Sequence, residues 1–149
     1  MTLKEEIYYR CIEMVNEKIA FLQSGLKELT ESAANESKST AGDKHETALA
    51  MLQIEQENTG RQLKEALTNK LHLSQMNIHL TPGKVTNGTL VQTNKGLFFV
   101  SIALGKMIIN NTPVIVLSPQ SPLGNKLLGL KKNDKAEMNG TTYVIEKVY

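Results

Sequence analysis

The chain has little of several residue types, and each shortage excludes a class of protein or site. Among 149 residues there is no tryptophan and one cysteine, Cys11, so neither an intrachain disulfide nor a cysteine-rich zinc site can form. No apolar run approaches the roughly 18 residues of a membrane-spanning helix. The first residues are acidic where a signal peptide is basic and then apolar. We therefore expect a cytoplasmic protein with no membrane partner.

Proline is also unevenly distributed, because none occurs before Pro82. At about this point the pattern changes from helical periodicity to short apolar runs separated by turn residues. Residues 1–77 contain 9 Lys/Arg and 12 Asp/Glu, a net charge of −3, whereas residues 78–149 contain 8 and 3, a net +5. These shifts predict two domains, 1–77 and 78–149, and an α+β fold.

The first predicted helix has an a/d heptad seam, which has to pack against another helix. Its predicted partner runs from about residue 43 to residue 76, and the polar stretch 35–42 favours a turn between them. An antiparallel helical hairpin, a two-helix coiled coil, is the simplest arrangement, and a coiled-coil dimer is the alternative. The seam residues are Tyr8, Ile12, Val15, Ile19, Leu22, Leu26, Leu29 and Ala33, facing Leu49, Leu52, Leu63, Ala66 and Leu73.

The C-terminal half reads as a small antiparallel β-sheet domain. Asn139-Gly140 between two apolar runs is a strong hairpin signal. Further turns are predicted at residues 94–96 and 110–111, and a short helix at residues 121–128. The spacing predicts five or six strands and one short helix.

Asp43 and Glu46 are the candidate functional acids. Three residues apart at the start of a helix, they share one face with Cβ atoms about 5–6 Å apart. Magnesium often takes one or two carboxylates and completes its shell with water and phosphate oxygens, so this pair could complete a metal site on another macromolecule. The same spacing also occurs in helix capping, where Asp43 would accept a backbone N–H and Glu46 would reach back.

Basic residues gather around the predicted short helix, at Lys126, Lys131, Lys132 and Lys135. A solvated face explains them, and docking on an acidic protein surface is the functional interpretation. Catalytic alternatives have less support, because the histidines are scattered and no phosphate-binding glycine loop occurs.

Three stretches carry a resemblance to a known family. They are the acidic Gly42-Asp43-Lys44-His45-Glu46, the segment from Leu117 to Asp134 with its two Ser-Pro pairs, and the ending from Gly140 to Val148. In this order and at these lengths, the chain resembles the bacterial Gre transcript-cleavage factors. The resemblance implies a helical hairpin with an acidic tip, followed by an FKBP-like domain.

It also implies a function as a monomeric transcription elongation factor. The C-terminal domain would dock on RNA polymerase at the secondary channel, through Ser121, Pro122, Lys126, Lys131 and Lys132. The hairpin would bring Asp43 and Glu46 beside the 3′ end of the nascent RNA. There the two acids would help to hold a second Mg²⁺ while the polymerase cleaves its own RNA. Such a factor has no cofactor of its own and is not itself an enzyme.

Two departures from the family leave an alternative open. Leu49 stands where the family has a further acid, and the hairpin is net acidic, without a long basic stripe along it. A polymerase-channel regulator that does not stimulate cleavage fits these features too. A peptidyl-prolyl isomerase, suggested by the FKBP-like domain, and a structural coiled-coil protein are the remaining alternatives.

Overall fold

Two long helices begin the chain in the computed structural model, which describes residues 1–37 and 43–149, with the backbone alone at residue 37 and residues 43–45. Helix α1 spans Leu3–Ser37 and helix α2 spans Asp43–Ser74. The Tyr8 hydroxyl donates to the Leu73 carbonyl at 2.5 Å, and the Gln56 amide donates to the Thr30 hydroxyl at 3.4 Å. Because early residues of α1 meet late residues of α2, the two helices pack antiparallel, as predicted.

The heptad seam of α1 is confirmed, since every predicted seam residue is buried or half-buried. Burial decreases along the helix. Val15, Ile19 and Leu22 are buried, whereas Leu26, Leu29 and Ala33 are half-buried. The helix continues to Ser37, three residues into the stretch predicted to turn. The rest of that stretch, residues 38–42, lies outside the described residues.

A six-stranded sheet follows within the described part of the chain, in the order β3-β4-β2-β1-β6-β5. One short helix, α3 (Pro122–Leu127), comes between β4 and β5. The α+β fold class is therefore confirmed. The strands are β1 (Thr89–Thr93), β2 (Gly96–Val100), β3 (Gly105–Ile109), β4 (Thr112–Leu117), β5 (Lys135–Met138) and β6 (Thr141–Val148).

One neighbouring pair departs from the antiparallel pattern, because β2 and β4 run parallel. The position of strand β3 at the sheet edge explains why β2 and β4 are parallel. After β2 the chain passes to the sheet edge and forms β3, and the turn at Asn110-Asn111 returns it as β4 between β3 and β2. The other neighbouring pairs are antiparallel.

The central strands are buried on both faces of the sheet. Successive side chains of a strand point to opposite faces, yet Phe98 and Phe99 are 3% and 0% exposed. On the face of Phe98, a core cluster forms with Val91, Val100 and Leu127 of α3.

The hairpin turn at Asn139-Gly140 is confirmed. Both residues have positive φ, 52° and 80°, and they join β5 to β6. A two-residue turn with positive φ at both positions matches the twist of the strands it connects. This conformation favours asparagine and glycine, which is why the sequence signal is specific.

The chain forms two compact units. Residues 1–12 and 71–149 form the sheet unit, and residues 13–70 form the helical unit. The domain division at residue 77 stays a prediction. Among the described helices, none is both long enough and apolar enough to cross a membrane.

Candidate functional site

The two candidate acids lie at the start of α2. Asp43 is the first residue of the helix, and Glu46 follows one turn later with an exposed side chain. The side chain of Asp43 lies outside the described atoms. Because the backbone is helical from Asp43 onward, the spacing of three places both residues on one helical face. Carboxylates in a first turn are also stabilised by the positive end of the helix dipole.

The face next to these acids is apolar and partly covered. Ala48 and Leu49, which follow Glu46 within one turn, are both half-buried. An acid at position 49 would therefore lose part of its hydration, which costs free energy unless a partner compensates. The start of α2 thus offers two carboxylates, Asp43 and Glu46, rather than three.

Such a pair can contribute ligands to a magnesium ion but needs further ligands from elsewhere. Among the side chains that the structure describes, no group of three His, Cys, Asp or Glu residues lies close enough together to hold a metal. His45, beside the acids, has no described side chain. The arrangement is compatible with a metal site completed by another macromolecule.

Helix α3 is fixed by Ser121, its N-cap residue. The Ser121 hydroxyl accepts the amide N–H of Gly124 at 3.1 Å and donates to the carbonyl of Ser118 at 2.6 Å. Pro122 occupies the first helical turn, where its missing N–H costs nothing. Ser121 is therefore accounted for by capping, while Pro122 is exposed.

Gly124 is required by the same turn. A Cβ atom built there would lie 2.0 Å from the Ser118 carbonyl oxygen, a backbone atom that cannot easily move. The Ser-Pro segment before α3 and Gly124 within α3 thus form one close-packed turn. This turn positions the lysines that follow.

The three predicted docking lysines, Lys126, Lys131 and Lys132, are exposed. Lys126 donates to the Glu137 carbonyl at 2.7 Å, and the backbone N–H of Lys131 is bound by the Asp134 carboxylate at 2.8 Å. Lys84 lies next to Lys131, because an isolated antiparallel β-bridge pairs the two residues. We call Lys84, Lys126, Lys131 and Lys132 the basic surface.

Comparisons of the chain with protein-family models, curated proteins and solved structures find no match. The candidate sites therefore stand on residues and geometry alone. Sequence reasoning missed Lys84, which is 47 positions before Lys131 and carries no local signal of their pairing. The only local hint of this pairing was Val85, an apolar residue in a polar stretch. Val85 is buried, and its backbone N–H donates to the carbonyl of Leu130.

Cys11 does not form a nucleophilic site. It is buried, and burial raises the pKa of its thiol to about 12. The thiolate is the reactive form of cysteine, so Cys11 is an inert core residue at neutral pH.

Proposed function

We propose that this protein is a transcription factor that binds RNA polymerase through the secondary channel and stimulates cleavage of backtracked RNA. One observation carries the proposal: the start of α2, at the end of the helix pair where α1 stops, carries Asp43 and an exposed Glu46. The Gre-like motifs around Asp43 and in residues 117–134 support it. The protein acts as an accessory factor, and the polymerase cleaves its own RNA.

The two acids have different roles in this proposal. Asp43 would be a ligand of a Mg²⁺ ion shared with the polymerase, and Glu46 would orient the attacking water or the ion. A second ion, when bound, stabilises the attacking and leaving oxygens of phosphodiester hydrolysis. Exposed carboxylates bind magnesium weakly alone, so the activity depends on the assembled complex beside the RNA 3′ end.

The basic surface is the proposed docking site on the polymerase. Its four lysines are exposed, and the Asp134 carboxylate, which binds the backbone N–H of Lys131, offsets only one of their charges. Opposite charges on two partners increase the association rate and fix their orientation, and salt weakens them. An acidic rim on the polymerase fits this chemistry.

A cleavage assay on backtracked elongation complexes tests the proposal. The parent protein should increase the rate of RNA cleavage above that of polymerase alone. Asp43→Asn should remove most of this increase, on the order of 10²-fold, because losing one group that stabilises transition-state charge commonly costs that much. Glu46→Gln should have a smaller effect.

Glu57→Gln is the matched control, because Glu57 is an exposed acid further along the same helix. It should cleave like the parent. A parent protein that binds polymerase but gives no cleavage above background would contradict the cleavage role. Equal activity of Asp43→Asn and the parent would contradict the assignment of the acids.

A channel-binding regulator without cleavage activity is the second candidate. The half-buried Leu49 favours it, because a further acid would stand there in the family that the chain resembles. In this case the protein binds polymerase and alters initiation or pausing, and Asp43→Asn leaves these effects unchanged.

Docking is tested by binding to core RNA polymerase. Reversing two charges in Lys131→Glu with Lys132→Glu should weaken binding at low salt by roughly tenfold, and this difference should shrink at high salt. Lys95→Glu, an exposed lysine in the β1–β2 turn, is the control and should bind like the parent. Equal binding by both charge-reversed proteins would place the docking surface elsewhere.

A further inference from the structure

A cavity of about 570 Å³ lies in the sheet unit. It is bordered by the first turn of α1, by residues 78–81 and by β1 and β2. Its volume falls within the roughly 300–1,000 Å³ of small-molecule sites. The lining residues are distinct from the acids of α2 and from the basic surface, so the proposed function does not account for this cavity.

Aliphatic side chains form much of its wall. Leu90 and Ile78 are buried, and Leu3 and Leu97 are half-buried beside them. An apolar wall of this kind favours a ligand with a hydrocarbon or aromatic body, because the ligand leaves water on binding. The wall alone does not distinguish one apolar ligand from another.

Lys4 supplies the specific group. Its side chain is only 7% exposed and lines the cavity. The ammonium donates to the backbone oxygens of Leu80 and Tyr149, both at 3.0 Å. An ammonium has three donors, so one remains for a ligand. Two anchors hold the group in place, which lowers the ordering cost of binding.

The start of α1 adds the positive end of its helix dipole. In the first turn of any helix the amides lack intrahelical acceptors and carry the positive end of the helix dipole. Thr2 and Glu5 cap each other here, through bonds of 3.2 Å and 3.0 Å to their backbone N–H groups. The other oxygen of the Glu5 carboxylate lies 3.7 Å from Nδ1 of His79.

This charge balance limits the ligand. Burial lowers the pKa of Lys4, and an anion beside it offsets the cost of burying the ammonium. Glu5 lines the same cavity and would repel a doubly charged group such as phosphate. A ligand with a single negative charge meets less repulsion from Glu5 and can still accept a charge-assisted hydrogen bond from the third donor of Lys4.

We propose that this cavity binds a small monocarboxylic acid with an apolar body. The carboxylate accepts from the Lys4 ammonium at the start of α1, and the body packs against Leu90 and Leu97. The ligand would join α1 to the sheet within the sheet unit, and binding would stabilise the folded state.

Titration of the isotope-labelled full chain with octanoate and with octanamide, followed by amide NMR, tests this proposal. Octanoate should shift the resonances of Lys4, Leu90 and Leu97 and should bind roughly tenfold more tightly than octanamide, because its hydrogen bond is charge-assisted. Equal affinity of the two compounds, absence of binding, or shifts confined to other residues would each overturn it.

Lys4→Met isolates the ammonium while keeping an unbranched side chain. It should lower octanoate affinity roughly tenfold and leave octanamide binding unchanged. The control is Lys106→Met, at an exposed lysine of β3 away from the cavity lining. If Lys4→Met binds octanoate like the parent, the proposal is wrong. If this variant does not fold, as judged by circular dichroism, the shift map and the octanamide comparison on the parent decide.

Discussion

The helical unit and the sheet unit bury apolar residues in different ways. In the helical unit, burial follows one seam and weakens toward the end of α1, and Phe21 on the outer face is 77% exposed. In the sheet unit, residues from several strands are buried on both faces, and Phe99 is 0% exposed. The helical unit is stabilised by similar contacts repeated along the seam, whereas the sheet unit is stabilised by a few fully buried side chains.

The four tyrosines, Tyr8, Tyr9, Tyr143 and Tyr149, all lie in the sheet unit, and the chain has no tryptophan. Tyrosine fluorescence therefore reports on unfolding of the sheet unit. Far-ultraviolet circular dichroism is dominated by the long helices. The two signals allow each unit to be followed separately, which matters because the units need not unfold together.

The largest expected difference concerns two phenylalanines. Phe99→Ala should destabilise the sheet unit by about 3–5 kcal/mol, because it removes a fully buried ring. Phe21→Ala should change the stability of the helical unit by less than about 0.5 kcal/mol, because the ring is exposed. Urea unfolding with both signals measures the two effects, and similar costs would remove the contrast between the units.

Two glycine substitutions should change stability in opposite directions. Gly124→Ala places a Cβ 2.0 Å from a backbone oxygen and should destabilise the sheet unit by about 1–3 kcal/mol or more. Gly60→Ala, in α2, meets open space and should stabilise the helical unit by about 1 kcal/mol. Thermal unfolding of the two variants checks this pair, and a stabilising Gly124→Ala would show that the turn before α3 can adapt.

The smallest expected effect concerns neighbouring tyrosines. Tyr8→Phe removes the buried hydrogen bond to the Leu73 carbonyl and should cost about 1 kcal/mol. Tyr9→Phe, at an exposed ring, should be neutral within about 0.5 kcal/mol. Urea midpoints of the two variants give the comparison. Equal midpoints would mean that water replaces the lost bond at Tyr8.

Local patterns in the sequence predicted much of the fold. The seam from Tyr8 to Ala33 follows from helical periodicity, and the turn at Asn139-Gly140 follows from the positive φ that these residues tolerate. Ser121-Pro122 likewise marked the start of α3. Each of these signals depends on a few neighbouring residues, which is why the sequence alone suffices.

Features that depend on distant parts of the chain were not predictable in this way. The parallel pairing of β2 with β4 depends on the placement of β3 at the sheet edge. The partnership of Lys84 with Lys131 depends on the same long-range arrangement. Lys4, in a polar first turn, has no sequence signal of burial, because the backbone oxygens that bind it belong to the distant residues Leu80 and Tyr149.

The decreasing burial along α1 has a consequence for the acids at the start of α2. Leu26, Leu29 and Ala33 exclude water only partly, so backbone amides near the end of the seam should exchange hydrogen faster than those near Val15. If this end enters the polymerase channel as proposed, its looser packing would let it adjust to the channel walls, at a cost in conformational entropy on binding. Under the proposed function, most of the affinity would come from the basic surface, and the acid-bearing end would enter and leave the polymerase channel.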